Sequence, residues 1–172
     1  KICVPIVGVT QEEIMQAAEQ LKQLPADLAE WRADWFAQIH DMQKVRHILK
    51  HLREVLRETP LLFTFRTKKE GGEAELNPQD YAALNEAAAQ SGYVDLIDAE
   101  LFSGEDIVRR LVSAAHASGV KVIASSHDFE KTPAQEEIIK RLLRMQQLDA
   151  DILKIAVMPQ NRADVLSLLT AA

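Results

Sequence analysis

Hydrophobic and polar positions along the chain alternate between two rhythms. Short, mostly apolar runs recur at residues 2–8, 28–32, 61–66, 94–101, 121–126 and 151–159, and runs of this kind read as strands buried in a sheet. Between them, apolar residues return at helical spacing. Ile14, Ala17, Ala18 and Leu21 share one face, as do Val45, Ile48, Leu49, Leu52, Val55 and Leu56 within a helix expected over 42–58. The punctuation agrees with this division. Thr10-Gln11-Glu12-Glu13 is a capping box, and Pro25 stops the helix that it opens. Asn77-Pro78 pairs a cap with proline at the first helical position, in a helix ending at Gly92. A helix over 103–118 closes with Gly119, Thr132-Pro133 is expected to open another running to about Leu148, and Asn161 caps the last.

Six strand–helix alternations without a break in composition predict one domain over residues 1–172, built on a parallel sheet with right-handed crossovers. Such a sheet is either open and doubly wound or closed into a (β/α) barrel. Gly8-Val9-Thr10-Gln11 is not the glycine-rich turn that the open form places after its first strand. The ionisable residues favour the barrel. Glu30 and Arg32, Arg66 with Glu70 just beyond, Asp98 and Glu100, and His127 fall at the carboxyl ends of successive strands, and Lys154 falls within the sixth. Each strand pair spaced by two shares a face, so consecutive strands feed one charged cavity. Six units in 172 residues is about 29 residues each, and eight would come to roughly 230, the size of a (β/α)8 TIM barrel. We therefore expect about six of eight units here, lacking the last two.

Composition removes several functional classes. A net charge of −6 without a basic block argues against nucleic acid as a partner. No apolar run approaches the roughly 20 residues of a membrane span. Lys1 leads straight into a strand-like run, so no targeting leader is expected, and the single cysteine, Cys3, fits a reducing cytoplasm. No cysteine cluster or histidine spacing suggests a metal; His47 and His51, at i and i+4, sit in a Lys/Arg-rich helix and read as a solvated face.

Lys154 lies inside the apolar run 151–159. A buried ammonium costs several kcal/mol unless it is paired or gives up its proton. A neutral amine can attack a ketone or aldehyde to form a Schiff base, whereas a structural lysine would snorkel or close an internal ion pair. Met158, four residues on, faces the same way by alternation and reads as wall or substrate contact. Taken singly, Arg66 and Glu70 read as a surface ion pair, and Asp98 with Glu100 as a structural network.

The set resembles a known family. Glu30-Trp31-Arg32-Ala33-Asp34, Phe63-Thr64-Phe65-Arg66 with Lys69-Glu70-Gly71-Gly72-Glu73, Ile97-Asp98-Ala99-Glu100-Leu101, Ser126-His127-Asp128-Phe129 and Lys154-Ile155-Ala156-Val157-Met158-Pro159 together resemble type I 3-dehydroquinate dehydratase, in the same order from Lys1 to Ala172. The resemblance implies a TIM barrel preceded by an N-terminal hairpin, which lies outside these residues. It also implies dehydration of 3-dehydroquinate to 3-dehydroshikimate on the shikimate route to aromatic amino acids. Lys154 matches the Schiff-base lysine, His127 the general base and acid, and Glu70 the carboxylate that orients the histidine. Glu30, Arg32 and Arg66 match residues lining the substrate site. The resemblance further implies no cofactor, a small-molecule substrate and a homodimer at full length. Pro5 departs from the serine of many relatives. Two other readings are open: another Schiff-base barrel lyase such as a class I aldolase, or a non-catalytic barrel fragment that acts as a binding module.

Overall fold

A computed structural model describes residues 1–172. Six strands form where the apolar runs stand: β1 (Cys3–Ile6), β2 (Leu28–Arg32), β3 (Leu61–Thr64), β4 (Leu96–Glu100), β5 (Lys121–Asp128) and β6 (Ile152–Val157). Helices α1 (Gln11–Leu21), α2 (Met42–Leu56), α3 (Pro78–Ala89), α4 (Glu105–Ala117), α5 (Gln135–Gln147) and α6 (Arg162–Ala171) follow them in turn. The strands lie in the sheet in chain order, β1-β2-β3-β4-β5-β6, and every pairing is parallel. Strand order never reverses, so there is no switch point of the doubly wound kind. Crossovers of one hand then put every helix on one face, and the sheet curls around the other. The result is a six-stranded parallel half-barrel with β1 and β6 at its edges.

The two faces differ in chemistry. Ile6, Ala29, Trp31, Leu61, Phe63, Phe65, Ile97, Val122 and Ala124 belong to the 35-residue core between sheet and helices. The alternate residues line the concave face. At the amino ends of the strands these are Leu62, Leu96 and Ile123, with Leu28 beside them. Two residues further along each strand the same face turns polar, at Glu30, Thr64, Asp98, Ser125 and Lys154. Burial of the outer face holds the curl, leaving the inner face to carry function.

The capping box forms as expected, with Thr10 accepting from the Glu13 amide and Glu13 returning to the Thr10 amide. Asn77 and Asn161 likewise accept from the amides of Asp80 and Asp164. Several boundaries shift by one to three residues: α2 ends at Leu56, α3 at Ala89, and α4 runs from Glu105 to Ala117. The fifth helix begins at Gln135 instead of Thr132-Pro133. The segment before it stays extended, tied at Lys131, whose N–H donates to Asp128 Oδ1 and whose carbonyl accepts from the Met158 amide.

A single device recurs at the amino ends of the strands. Asp27, Asp95 and Asp151 each stand one residue before an even-numbered strand. Their N–H groups donate to the carbonyls of Ile2, Leu61 and Val122 at 2.9, 2.9 and 3.0 Å. Their carboxylates accept from the N–H groups of those same residues, at 2.6, 2.7 and 2.8 Å. Each aspartate therefore closes a ring on the start of the preceding odd strand. Arg53 on α2 adds a hydrogen bond to the Asp95 carboxylate, and His116 on α4 adds one to Asp151.

Candidate active site

The carboxyl ends of β4 and β5 and the turn after β3 converge on one buried cation. Arg66, just past β3, has only 4% of its side chain exposed. Its Nη2 donates to Asp98 Oδ2 at 2.9 Å, and its Nη1 donates to Glu100 Oε1 and to Ser125 Oγ, both at 3.0 Å. Ser125 in turn donates to Asp98 Oδ1 at 2.7 Å. Glu100 also accepts from the amide and the hydroxyl of Thr67. Tyr81 from α3 receives the Glu100 amide on its hydroxyl oxygen. The cluster carries more carboxylates than cations, and electrostatics reflect that. Burial raises the Glu100 carboxyl above its ordinary range despite the Thr67 hydrogen bonds, with Glu70's charge adding to the rise. Burial works against the Arg66 charge, but Asp98 and Glu100 more than offset it and hold the guanidinium firmly protonated.

Glu70 lies beyond β3 in a single 3-10 turn, Lys68–Glu70. Its Oε2 accepts from the His127 amide at 3.1 Å and lies 2.9 Å from His127 Nδ1. Arg66 Nη1 is 3.6 Å from the same oxygen. Arg66 and Glu70, taken singly a surface ion pair, are in fact both buried. Because a carboxylate only accepts, His127 Nδ1 carries the proton and Nε2 is left as the basic nitrogen. Phe129 lies near-parallel to His127, with ring centroids 6.1 Å apart at 13°. Gly71, at φ +83°, passes directly beneath the Phe129 ring; an added Cβ would lie 2.4 Å from it.

Lys154 pairs with Ser125 across the β5–β6 ladder, and His127 pairs with Ala156. Lys154 and His127 are therefore diagonal neighbours on the concave face. Lys154 takes no part in the ion pairs of the Arg66 cluster. By register it shares the concave face with Cys3 on β1 and Glu30 on β2; burial and Glu30 push the Cys3 thiol up to about 11, with Lys154 opposing them. Glu30 accepts from Thr64 Oγ1 at 2.7 Å. Arg32 is held by Asp34 through a two-point fork, Nε to Oδ1 and Nη2 to Oδ2, both 2.8 Å. Those bonds raise the Arg32 guanidinium further, against the effect of burial. Met158 lies just beyond the end of β6 and is 43% exposed.

Lys154, His127, Glu70, Glu30, Arg32 and Arg66 thus occupy one end of one face, with Met158 at its rim. Sequence reasoning passed over the residues that hold them: Asp34, Thr64, Tyr81 and Ser125. Asp34 carried a signal, being an acid two residues past a strand-end arginine. No group of three or more His, Cys, Asp or Glu residues could hold a metal ion. No helix is long and apolar enough to cross a membrane.

A curled parallel sheet whose strand ends gather a histidine–carboxylate pair, an unpaired lysine and a buried arginine has the architecture of an α/β barrel-type enzyme, with its titratable groups where such folds carry their sites. Comparison with known proteins narrows the class. The chain belongs to the type I 3-dehydroquinase family, whose model matches residues 2–172. It is 55% identical over 171 residues to the 3-dehydroquinate dehydratase of Syntrophotalea carbinolica, covering 99% of this chain and 68% of that one. It is 58% identical over 170 residues to that of Klebsiella pneumoniae, again covering 68% of the relative. Among solved structures it matches type I 3-dehydroquinate dehydratase from Clostridium difficile, with covalently modified comenic acid, at a TM-score of 0.97 and 49% identity. That match covers 99% of this chain and 68% of the other. The chain thus spans about two thirds of the length of these relatives.

Proposed function

We propose that the protein dehydrates 3-dehydroquinate to 3-dehydroshikimate through a Schiff base on Lys154. The observation that carries this reading is the buried His127–Glu70 contact of 2.9 Å, one strand away from Lys154 and on the same face. Lys154 Nζ attacks the ketone carbon, and the carbinolamine loses water to leave an iminium. His127 Nε2 takes a proton from the adjacent carbon, whose electron pair moves into the enamine. The enamine then expels the β-hydroxyl, which receives the proton back from His127. Hydrolysis of the remaining iminium releases product and restores the amine. Glu70 holds the imidazole in the productive tautomer and stabilises it while it carries the extra proton. Arg32 and Glu30 present a cation and an acceptor to the substrate's carboxylate and hydroxyls. Arg66 acts chiefly by holding the carboxylates around it, and Met158 contributes apolar wall. By the same reading, residues 1–172 form one domain contributing six of the eight strands of a closed barrel, and the full-length protein is a cytoplasmic homodimer.

Borohydride added with 3-dehydroquinate to the full-length protein tests the central step. The expected result is a reduced adduct mapped to Lys154. His127→Ala keeps the adduct while turnover falls by roughly 10²–10⁴-fold, the usual range for a general acid–base group. Turnover with an adduct elsewhere, or with none, refutes the Schiff-base assignment.

A further inference from the structure

Asp34 stands at a crossing that the reaction as described does not use. Its side chain is fully buried, beside an Arg32 side chain that is 24% exposed. Both carboxylate oxygens are doubly engaged. Oδ1 accepts from Arg32 Nε at 2.8 Å and from the Arg66 backbone N–H at 3.4 Å. Oδ2 accepts from Arg32 Nη2 at 2.8 Å and from the Glu73 backbone N–H at 3.1 Å. Arg66 and Glu73 are the two feet of the loop that carries Glu70. Within the loop, the Gly72 amide donates to the Thr67 carbonyl and the Lys68 amide to that of Ala74, so the loop is a closed unit whose placement depends on its feet.

We propose that Asp34 is a positioning residue that sets two parts of the site at once: the Arg32 guanidinium on the concave face, and the loop that presses Glu70 against His127. The inference rests on the proposed roles of Arg32 and the His127–Glu70 pair. A single rigid carboxylate gives the two parts a common reference, so that the group meeting substrate and the group moving the proton keep a fixed separation. An ordinary salt bridge to Arg32 would need only one pair of these contacts. A loop anchor would need only the other.

Asp34→Asn weakens both roles at once without a change of volume, because the amide keeps one accepting oxygen and each oxygen serves the Arg32 fork and one foot of the loop. In the full-length protein it should raise KM and lower kcat, each on the order of 10–100-fold, the scale on which a misplacement of about 1 Å acts. The decisive measurement repeats the change in an Arg32→Ala background, where the fork is already gone. There Asp34→Asn should still lower kcat, because the loop is still released. Hydrogen exchange, which needs no turnover, should accelerate at the loop foot that meets the new amide group, Glu73 or Arg66, while the Leu61 amide, held by Asp95, keeps its rate. Three results would overturn the proposal: Asp34→Asn silent in the Arg32→Ala background, unchanged exchange at both Glu73 and Arg66, or a fall in thermal stability with KM and kcat both retained. If the wild type fails to turn over 3-dehydroquinate, the functional reading fails, and exchange at Glu73 and Arg66 still decides the role of Asp34.

Discussion

Replacing Arg66 by Met keeps the length of the side chain and removes the one cation at the centre of the site. Asp98 then retains a single side-chain hydrogen bond, from Ser125, whereas Glu100 keeps both the amide and the hydroxyl of Thr67. Removing one partner of a buried ion pair costs roughly 3–5 kcal/mol, a large part of the 5–15 kcal/mol or so that stabilises a typical domain. The loss should depend on pH in a definite direction. Burial already raises the Glu100 carboxyl in the folded protein, and without Arg66 it rises further. An acid raised in the folded state binds its proton more tightly there than when unfolded. Its contribution is fully present at low pH and is lost as pH climbs from the ordinary carboxylate range through the raised value. The Arg66→Met deficit should therefore be largest at neutral pH and shrink in mild acid. Urea unfolding followed by tryptophan fluorescence, at about pH 7.5 and about pH 5, measures both quantities. A second variant, Arg66→Met with Asp98→Asn, should recover part of the loss, because the orphaned charge has gone. A deficit below about 1 kcal/mol, the centre of the distribution for ordinary substitutions, or one equal at the two pH values, would refute the account.

Gly72→Ala should abolish turnover in a protein that still folds, since a Cβ there would lie 1.9 Å from the Arg66 carbonyl oxygen and displace the Glu70 loop; normal kcat with native circular dichroism would count against this. Arg53 donates to the carbonyls of Tyr93, Arg57 and Thr59 and to the Asp95 carboxylate. Arg53→Ala should cost about 1–3 kcal/mol in chemical denaturation, and a cost near zero would show that these groups find water as readily. Asp151 is held below the usual carboxylate range, against the effect of burial, by the Val122 amide and His116. An acid lowered in the folded state stabilises above the unfolded value and loses that contribution as pH falls through the folded one. Asp151→Asn should therefore flatten the acid limb of the stability curve, and an unaltered limb would show that other groups set it.

Much of the fold was legible because period and punctuation report directly on the backbone. The second strand was read at its observed bounds, and the caps at Thr10, Asn77 and Asn161 form where side-chain chemistry requires them. Thr132-Pro133 misled because a cap followed by proline is a local signal, whereas the extended path there is set by a distant contact, from the Met158 amide to the Lys131 carbonyl. In the site, charges at strand ends were visible as a pattern, but their partners were not. Ser125 and Thr64 look like ordinary strand residues until the neighbouring strands bring Asp98 and Glu30 within 2.7 Å. The strand-start aspartates were readable in principle, as Asp27-Leu28, Asp95-Leu96 and Asp151-Ile152. Each alone is an unremarked turn residue, and only a comparison of strand starts with one another would have shown the recurrence.

That recurrence divides the sheet into pairs. β1 is ringed to β2, β3 to β4 and β5 to β6 by the same pair of aspartate hydrogen bonds, but no such carboxylate ring joins β2 to β3 or β4 to β5, where the backbone ladder works without it. The fold is therefore modular at the scale of two strands and two helices. Its seams run between the modules, along the connections made by α2 and α4. Arg53 and His116 reach across those seams to the Asp95 and Asp151 rings of the next module, and a segment spliced into the α2–β3 or α4–β5 connection would interrupt no ring. A chain built by repeating such a module could lengthen or close its sheet two strands at a time while leaving every existing junction as it was.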